Sequence, residues 1–234
     1  MATVLLVRHG RTTANATGLL AGRTPGVALD AHGRDQAART GDRIAAVPVA
    51  GVVSSPLERC RETARAIVER QAVAPSSSVE DEITECDYGR WQGRRLDDLA
   101  KEDLWRTVQS HPSAVVFPGG ESMTGMQARA VAAIRRHDAE IEAEHGPGAV
   151  WVAVSHGDII KSVLADAVGT SLDDFQRLHV DPASVSVIRY TDRRPMLLRT
   201  NDGGSSALRP PRSTDTSVAG DATVGGGSGL GSQS

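Results

Sequence analysis

The sequence is poor in aromatic residues: two phenylalanines, two tyrosines and three tryptophans make up 3% of its 234 residues. Packing must therefore rest on alanine, valine, leucine and isoleucine. Only two cysteines are present, Cys60 and Cys86, too few for a disulfide framework. No charge of one sign dominates. The 26 basic and 29 acidic residues leave a net charge of -3, which gives no electrostatic reason to expect nucleic acid or an anionic membrane surface. No run approaches the ~18 apolar residues of a membrane span. The first apolar run lacks a basic leader and is too short for a signal peptide. These absences predict a soluble, cytoplasmic chain, with no nucleic acid and no membrane among its partners. What is present is a hydrophobic content of 39%, enough for one α/β core that needs neither disulfides nor a metal.

Strand patterns occur at Thr3–Val7, Gly51–Ser54, Val150–Val154, Ser184–Tyr190 and Met196–Arg199. Between them lie apolar stripes at helical spacing: Leu57, Cys60, Ala64, Ile67 and Val68, then Met123 to Ile141, then Ile159 to Val168. Strands alternating with helices predict a mainly parallel sheet covered on both faces. The last two strands, joined around Asp192-Arg193-Arg194-Pro195, read as a hairpin. Residues 83–120 read as a polar insertion able to cover the strand ends. From Asn201 to Ser234 the composition falls to Gly, Ser, Thr, Asp and Pro, a tail that cannot bury enough apolar surface to order itself. The domain is thus expected over residues 1–200 and a disordered tail over 201–234. The tail glycines lack the phosphate-loop spacing and follow no strand.

The chemical signal lies at strand ends. Val4-Leu5-Leu6-Val7 runs into Arg8-His9-Gly10, and Val150 to Val154 runs into Ser155-His156-Gly157. Ligands of open α/β sheets bind just beyond such ends, so the two histidines could meet. Glycine after each lets the backbone turn and approach a ligand. A helix opening at Gly157 would also aim free N–H groups at an anion. In Ser54-Ser55-Pro56-Leu57-Glu58-Arg59, Ser55 suits a helix N-cap and Pro56 the first helical position. That places Arg59 in the first turn, facing His9. Arg8 and Arg59 with the two histidines make a cationic pocket, and forked guanidiniums match phosphate oxygens.

The ordered set of motifs resembles the histidine phosphatase superfamily, the phosphoglycerate mutase-like family with the Arg-His-Gly signature. It comprises Arg8-His9-Gly10-Arg11-Thr12 with Asn15, then Leu29, Gly33 and Gln36-Ala37, then Ser54-Ser55-Pro56-Leu57 with Arg59, Thr63 and Ala64. Glu85, Gly89, Trp91 and Gly93 follow, then Pro118-Gly119-Gly120-Glu121-Ser122, then Ser155-His156-Gly157. The stretch Asp181-Pro182-Ala183-Ser184-Val185-Ser186 is similar to actinobacterial phosphatase-like members. The resemblance implies a three-layer α/β/α sandwich with a mainly parallel sheet and a small cap insertion. It implies a phosphoric monoester hydrolase of the histidine acid phosphatase type, without cofactor or metal, acting on a small phosphorylated substrate. His9 would be the nucleophile that becomes phosphohistidine. Arg8, Arg59 and His156, with Asn15 and the Gly157 helix end, would bind the phosphoryl group. The two guanidiniums would hold His9 neutral, below its ordinary pKa of ~6.5. Glu85 would be the general acid and then the base, with Asp87 as its rival.

Two departures from the family pattern stand out. Arg11 replaces a frequent acid and is expected to add positive charge at the mouth. Gln92 replaces a frequent glutamate. Cys60 and Cys86 lack the arginine six residues on that a cysteine phosphatase needs. His32, His111, His137, His145 and His179 show no paired metal spacing, and Asn15-Ala16-Thr17 is a glycosylation sequon with no secretion signal to use it. Lys161, one helical turn after His156, ranks behind the residues above as a substrate contact. The runner-up activity is a cofactor-dependent phosphoglycerate mutase. Ala14 and Gly93-Arg94-Arg95-Leu96 stand where mutases of that family carry tryptophan and a Gly-Leu-Asn-Lys run. A non-catalytic phospho-ligand or partner-binding module ranks lower, because every expected catalytic residue is present. A homodimer is compatible with the sequence, which carries no code for oligomeric state.

Overall fold

The computed structural model describes residues 2–204 and Gly225. The five expected strands are all present as β1 (Thr3–Arg8), β2 (Gly51–Ser54), β4 (Val150–Ser155), β5 (Val185–Arg189) and β6 (Met196–Asp202). A sixth, β3 (Ser76–Val79), was not expected. Its Ser-Ser-Ser-Val sequence has no apolar alternation, and all four residues are exposed. It forms because β2 offers a free edge, to which it adds in parallel. The sheet order is β3-β2-β4-β1-β5-β6. Strand β1 pairs in parallel with β4, and β5 pairs antiparallel with both β1 and β6, so the expected closing hairpin is present. The sheet is the mainly parallel one expected. β6 runs to Asp202, two residues past the expected boundary at 200. The disordered tail expected beyond it falls outside the described residues, apart from Gly203, Gly204 and Gly225.

Strand alternation divides the core. Val7, Val52, Val152 and Val154 face one side, where they meet Ile44, Cys60, Ala64 and Ile67. These come from helices α2 (Ala31–Ile44) and α3 (Glu58–Val68), which follow the short α1 (Thr13–Thr17). Val4, Leu6, Val53 and Ala153 face the other side. There they meet the later helices α6 (Met123–His145) and α7 (Gly157–Val168). Burying a side chain such as Ile67, fully enclosed, contributes about 2 kcal/mol. No described helix is long and apolar enough to cross a membrane.

The insertion carries α4 (Leu96–Leu99) and α5 (Asp103–Ser110). It is less a polar cover than expected. Four of the seven aromatic residues sit in it, all buried. Trp91 stacks on Trp105 at 6.0 Å, and Phe117 meets Trp91 at 5.4 Å and Tyr88 at 5.0 Å. This cluster is continuous with the core under α6 and α7. The scarce aromatics are thus concentrated where a loop-rich segment has the fewest aliphatic residues to hold it.

Candidate active site

Register brings the two histidines together. Arg8 on β1 is the partner of Ser155 on β4, and the His9 amide donates to the Ser155 carbonyl at 3.0 Å. One residue further on, the rings of His9 and His156 stand edge to face with centroids 5.3 Å apart. Both are buried. β2 ends at the same level, the Ser55 amide donating to Val154, and α3 then delivers Arg59.

The expected cap of α3 is corrected. The helix starts at Glu58, with Leu57 in the cap position and no side-chain cap. Ser55 is drawn instead to the His156 ring, its Oγ lying 2.7 Å from Nε2. Arg59 is still in the first turn. Its Nε donates to His9 Nε2 at 3.3 Å, and its Nη2 reaches the Gly22 carbonyl at 2.8 Å and His156 Nδ1 at 3.2 Å.

These partners assign the protons. His9 Nδ1 lies 2.7 Å from the Gly10 carbonyl, which can only accept, so Nδ1 carries the hydrogen. Nε2 receives a hydrogen bond from Arg59 and therefore holds a lone pair. On His156, Nδ1 accepts from Arg59 and Nε2–H donates to Ser55. Burial first, then the Arg59 charge, pushes both imidazoles well below their ordinary pKa, and Arg8 adds to this at each. Both rings are neutral.

Gly10 serves a purpose other than the expected sharp turn. A Cβ there would lie 2.3 Å from the Gly33 carbonyl, and one on Gly33 would lie 1.9 Å from that of Arg11. The pair lets the loop that follows β1 sit directly on α2. The Gly10 amide donates to Thr63 Oγ1 at 3.1 Å, and Thr63 donates to the Arg59 carbonyl at 2.8 Å. Thr63 thereby ties the segment after β1 to the first turn of α3.

Glu85 enters from the insertion and is 3% exposed. Oε1 accepts from the Cys86 amide at 3.0 Å, and Oε2 is 3.9 Å from His156 Nδ1. Burial, then the nearby Asp158 charge, lifts its pKa to about 7 against the opposing pull of Arg59 and Arg8. Asp87, its rival, is turned away: Oδ1 accepts from the Gly89 amide and from Gln92 within its own loop. Asp158, buried in the first turn of α7, accepts from Tyr88 OH at 2.7 Å. That bond docks the acid-bearing loop on the helix that follows His156. A sequence reader sees Asp158 only as an ordinary acid at a helix start, so its role was missed.

His9, Arg59, Glu85 and Asn15 border a cleft that is also lined by Leu19, Leu20 and Leu96. The leucines are locked by a short ladder, with Leu20 N–H donating to Arg94 and Leu96 N–H to Gly18, both at 2.9 Å. Arg8 and His156 stand one layer behind the cleft lining. Arg8 is fully buried; Nη1 donates to Val180 at 2.8 Å and Nη2 lies 3.4 Å from the Gly225 carbonyl. Burial lowers its pKa to about 10, opposed by Glu85 and by Asp181 and Asp158. The Gly225 amide in turn donates to Asp158 at 3.0 Å, so Gly225 lies at the cleft. Gly157 opens α7 as expected.

Asn15, at the cleft, accepts from the Thr12 amide and hydroxyl at 3.1 and 2.9 Å and so closes the cap of α1. The added charge expected of Arg11 is offset, because Asp30 pairs with it at 2.8 Å. Lys161 is buried against Gln176, Asp158 and the Phe175 ring, and does not border the cleft.

An imidazole kept neutral beside guanidiniums, with a proton-bearing carboxyl close by, suits transfer of an oxyanionic group through a covalent histidine. The sandwich that carries it is the phosphoglycerate mutase-like fold. The chain belongs to the histidine phosphatase superfamily (branch 1), which residues 4–203 match. It is 30% identical over 204 residues to phosphoserine phosphatase 1 of Hydrogenobacter thermophilus, covering 86% of this chain and 92% of that one. It is 32% identical over 193 residues to a probable phosphoglycerate mutase, GpmB, of Klebsiella pneumoniae, covering 81% and 86%. The structure of Bacillus stearothermophilus YhfR superposes with a TM-score of 0.77 at 25% identity, covering 86% of this chain and 98% of that one. The chain spans about half the length of the mycobacterial relatives that it matches at 33% identity.

Proposed function

We propose that the protein is a phosphomonoesterase of the histidine acid phosphatase type, acting on a small organic phosphate in the cytoplasm. The observation that carries this reading is the pairing of a neutral His9, its Nε2 lone pair free of hydrogen, with a Glu85 carboxyl whose pKa lies near 7. A phosphoryl dianion entering the cleft draws Arg59 off the two imidazoles and onto its own oxygens, with Arg8 behind. The dianion raises the proton affinity of His156, which takes up a proton from solvent as the substrate binds and then donates a hydrogen bond through Nδ1.

His9 Nε2 forms a bond to phosphorus as the ester P–O bond breaks. The Glu85 proton passes to the departing alcohol oxygen. The ionised Glu85 then takes a proton from water, whose oxygen bonds to phosphorus as the P–Nε2 bond breaks. The products are alcohol and inorganic phosphate, and both side chains return to their starting states. The leucine wall would receive the carbon portion of the substrate.

The second reading is mutase chemistry, favoured by the similarity to GpmB. It uses the same steps but returns the phosphoryl group to a second hydroxyl instead of water. Incubation in oxygen-18 water with a phosphate ester that carries a second hydroxyl, such as a phosphoglycerate, separates them, because mutase chemistry gives the positional isomer and no labelled phosphate. Hydrolysis places the label in inorganic phosphate, and His9→Ala abolishes its release. Turnover that persists in His9→Ala would overturn the proposal.

A further inference from the structure

Three charged side chains that the chemistry above does not use hold the backbone around Glu85, two of them on its own carbonyl. Glu121, just before α6, binds Arg129 through both oxygens, Nε to Oε2 at 2.9 Å and Nη2 to Oε1 at 2.6 Å. The same Oε1 accepts from Arg23 Nη2 at 3.0 Å and from the Asp87 amide at 2.8 Å. The two guanidiniums then converge on one atom. Arg23 Nε donates to the Glu85 carbonyl at 2.8 Å, and Arg129 Nη2 lies 3.3 Å from it. Arg129 also holds the Glu82 carbonyl through Nη1 at 2.5 Å.

The bonds fall on Glu82, Glu85 and Asp87, the backbone on either side of the acid, and leave its carboxyl alone. The cluster is also tied to the cleft. Arg23 follows Gly22, whose carbonyl receives Arg59, and the Arg23 amide donates to Gln92 at 2.5 Å. The charges support one another: burial pulls Glu121 up, but Arg129 and the Asp87 amide hold it below its ordinary value.

We propose that Glu121, Arg23 and Arg129 form a splint that fixes Glu85 at proton-transfer distance from the leaving oxygen, making them positioning residues for leaving-group protonation. The inference rests on the reading of Glu85 as the acid. Proton transfer needs heavy atoms about 3 Å apart, and a side chain on a loop reaches that accuracy only when its backbone is fixed. Three elements meet on Glu85 here: the loop before α2, the insertion and α6.

The test uses the full chain and two esters. Ethyl phosphate has a poor leaving group and needs the proton, whereas 4-nitrophenyl phosphate departs without one. Glu121→Gln should lower kcat/KM for ethyl phosphate about 100-fold, as an ångström-scale displacement does. On the nitrophenyl ester the same variant should lose less than about threefold, since no proton transfer is at stake there. Glu121→Asp, which keeps the charge, should recover part of the ethyl phosphate loss. Equal losses on both esters, or no loss on either, would overturn the proposal.

Glu85→Gln is the control. If it shows the ester-selective loss and Glu121→Gln does not, the splint alone fails. If Glu85→Gln affects both esters equally, the acid assignment itself fails. Should Glu121→Gln not fold, Arg23→Gln at the loop position carries the same expectation and the same refutation.

Discussion

Replacing Asp158 with asparagine should move the pH dependence of the reaction without dismantling the site. The Glu85 pKa stands at about 7 against an ordinary 4.5, a difference of roughly 3 kcal/mol between protonation states. At pH 7 about half of the Glu85 carboxyls then hold the proton that the leaving group needs; at an ordinary pKa fewer than about one in a hundred would. Burial is the larger cause and Asp158 the next. Asparagine keeps the acceptor for Tyr88 and removes the charge, so the Glu85 pKa should fall by about one unit or more.

The assay is kcat/KM for ethyl phosphate from pH 5 to 9. Activity should be highest where Glu85 is protonated and fall about tenfold per pH unit above its pKa. The break should lie near 7 in the native protein and lower in Asp158→Asn. The substrate's own ionisation is common to both enzymes and cancels in the comparison. A raised folded-state pKa also means that Glu85 supports folding fully below pH 4.5, a contribution lost as pH rises through about 7. The variant should therefore show a smaller loss of stability between pH 5 and 8. An unchanged break, or one displaced upward, would refute the electrostatic account of the acid.

Gly10→Ala should lower stability by about 1–3 kcal/mol, the usual range for overpacking, because its methyl group would meet the Gly33 carbonyl. A denaturant midpoint equal to the native one would count against that packing. Truncation after Gly204 removes the Gly225 contacts to Arg8 and Asp158, and should lower KM with little change in kcat. A fall in kcat would instead make the tail part of the working site.

Much of this was legible in the sequence, for identifiable reasons. β1 and β4 are buried parallel strands and read as continuous apolar runs, so their ends, and hence His9 and His156, could be located. Arg59 followed because the β2 end and the α3 stripe are equally plain. β3 could not be read, because it is held by edge pairing and its serines bury nothing. The Ser55 cap failed because a local rule competed with a partner 101 residues away, and the buried imidazole had more to gain from the hydroxyl. The Asp158–Tyr88 bond and the bonds of Arg23 and Glu121 were invisible for the same reason: their partners come from distant segments, although Glu121 itself stood within a quoted motif. Gly10 was located correctly, but its close approach to the Gly33 carbonyl of α2 could not be foreseen, because the partner lies on another segment.

The central claim is that His9 carries the phosphoryl group on Nε2. The direct measurement is rapid alkaline quench of the enzyme with substrate, followed by peptide mass spectrometry and phosphorus NMR of the trapped species. The account predicts one acid-labile phosphoryl group on His9, bonded to Nε2, since Nδ1 is committed to the Gly10 carbonyl. Phosphorylation at Nδ1, on another residue, or nowhere during turnover would contradict it.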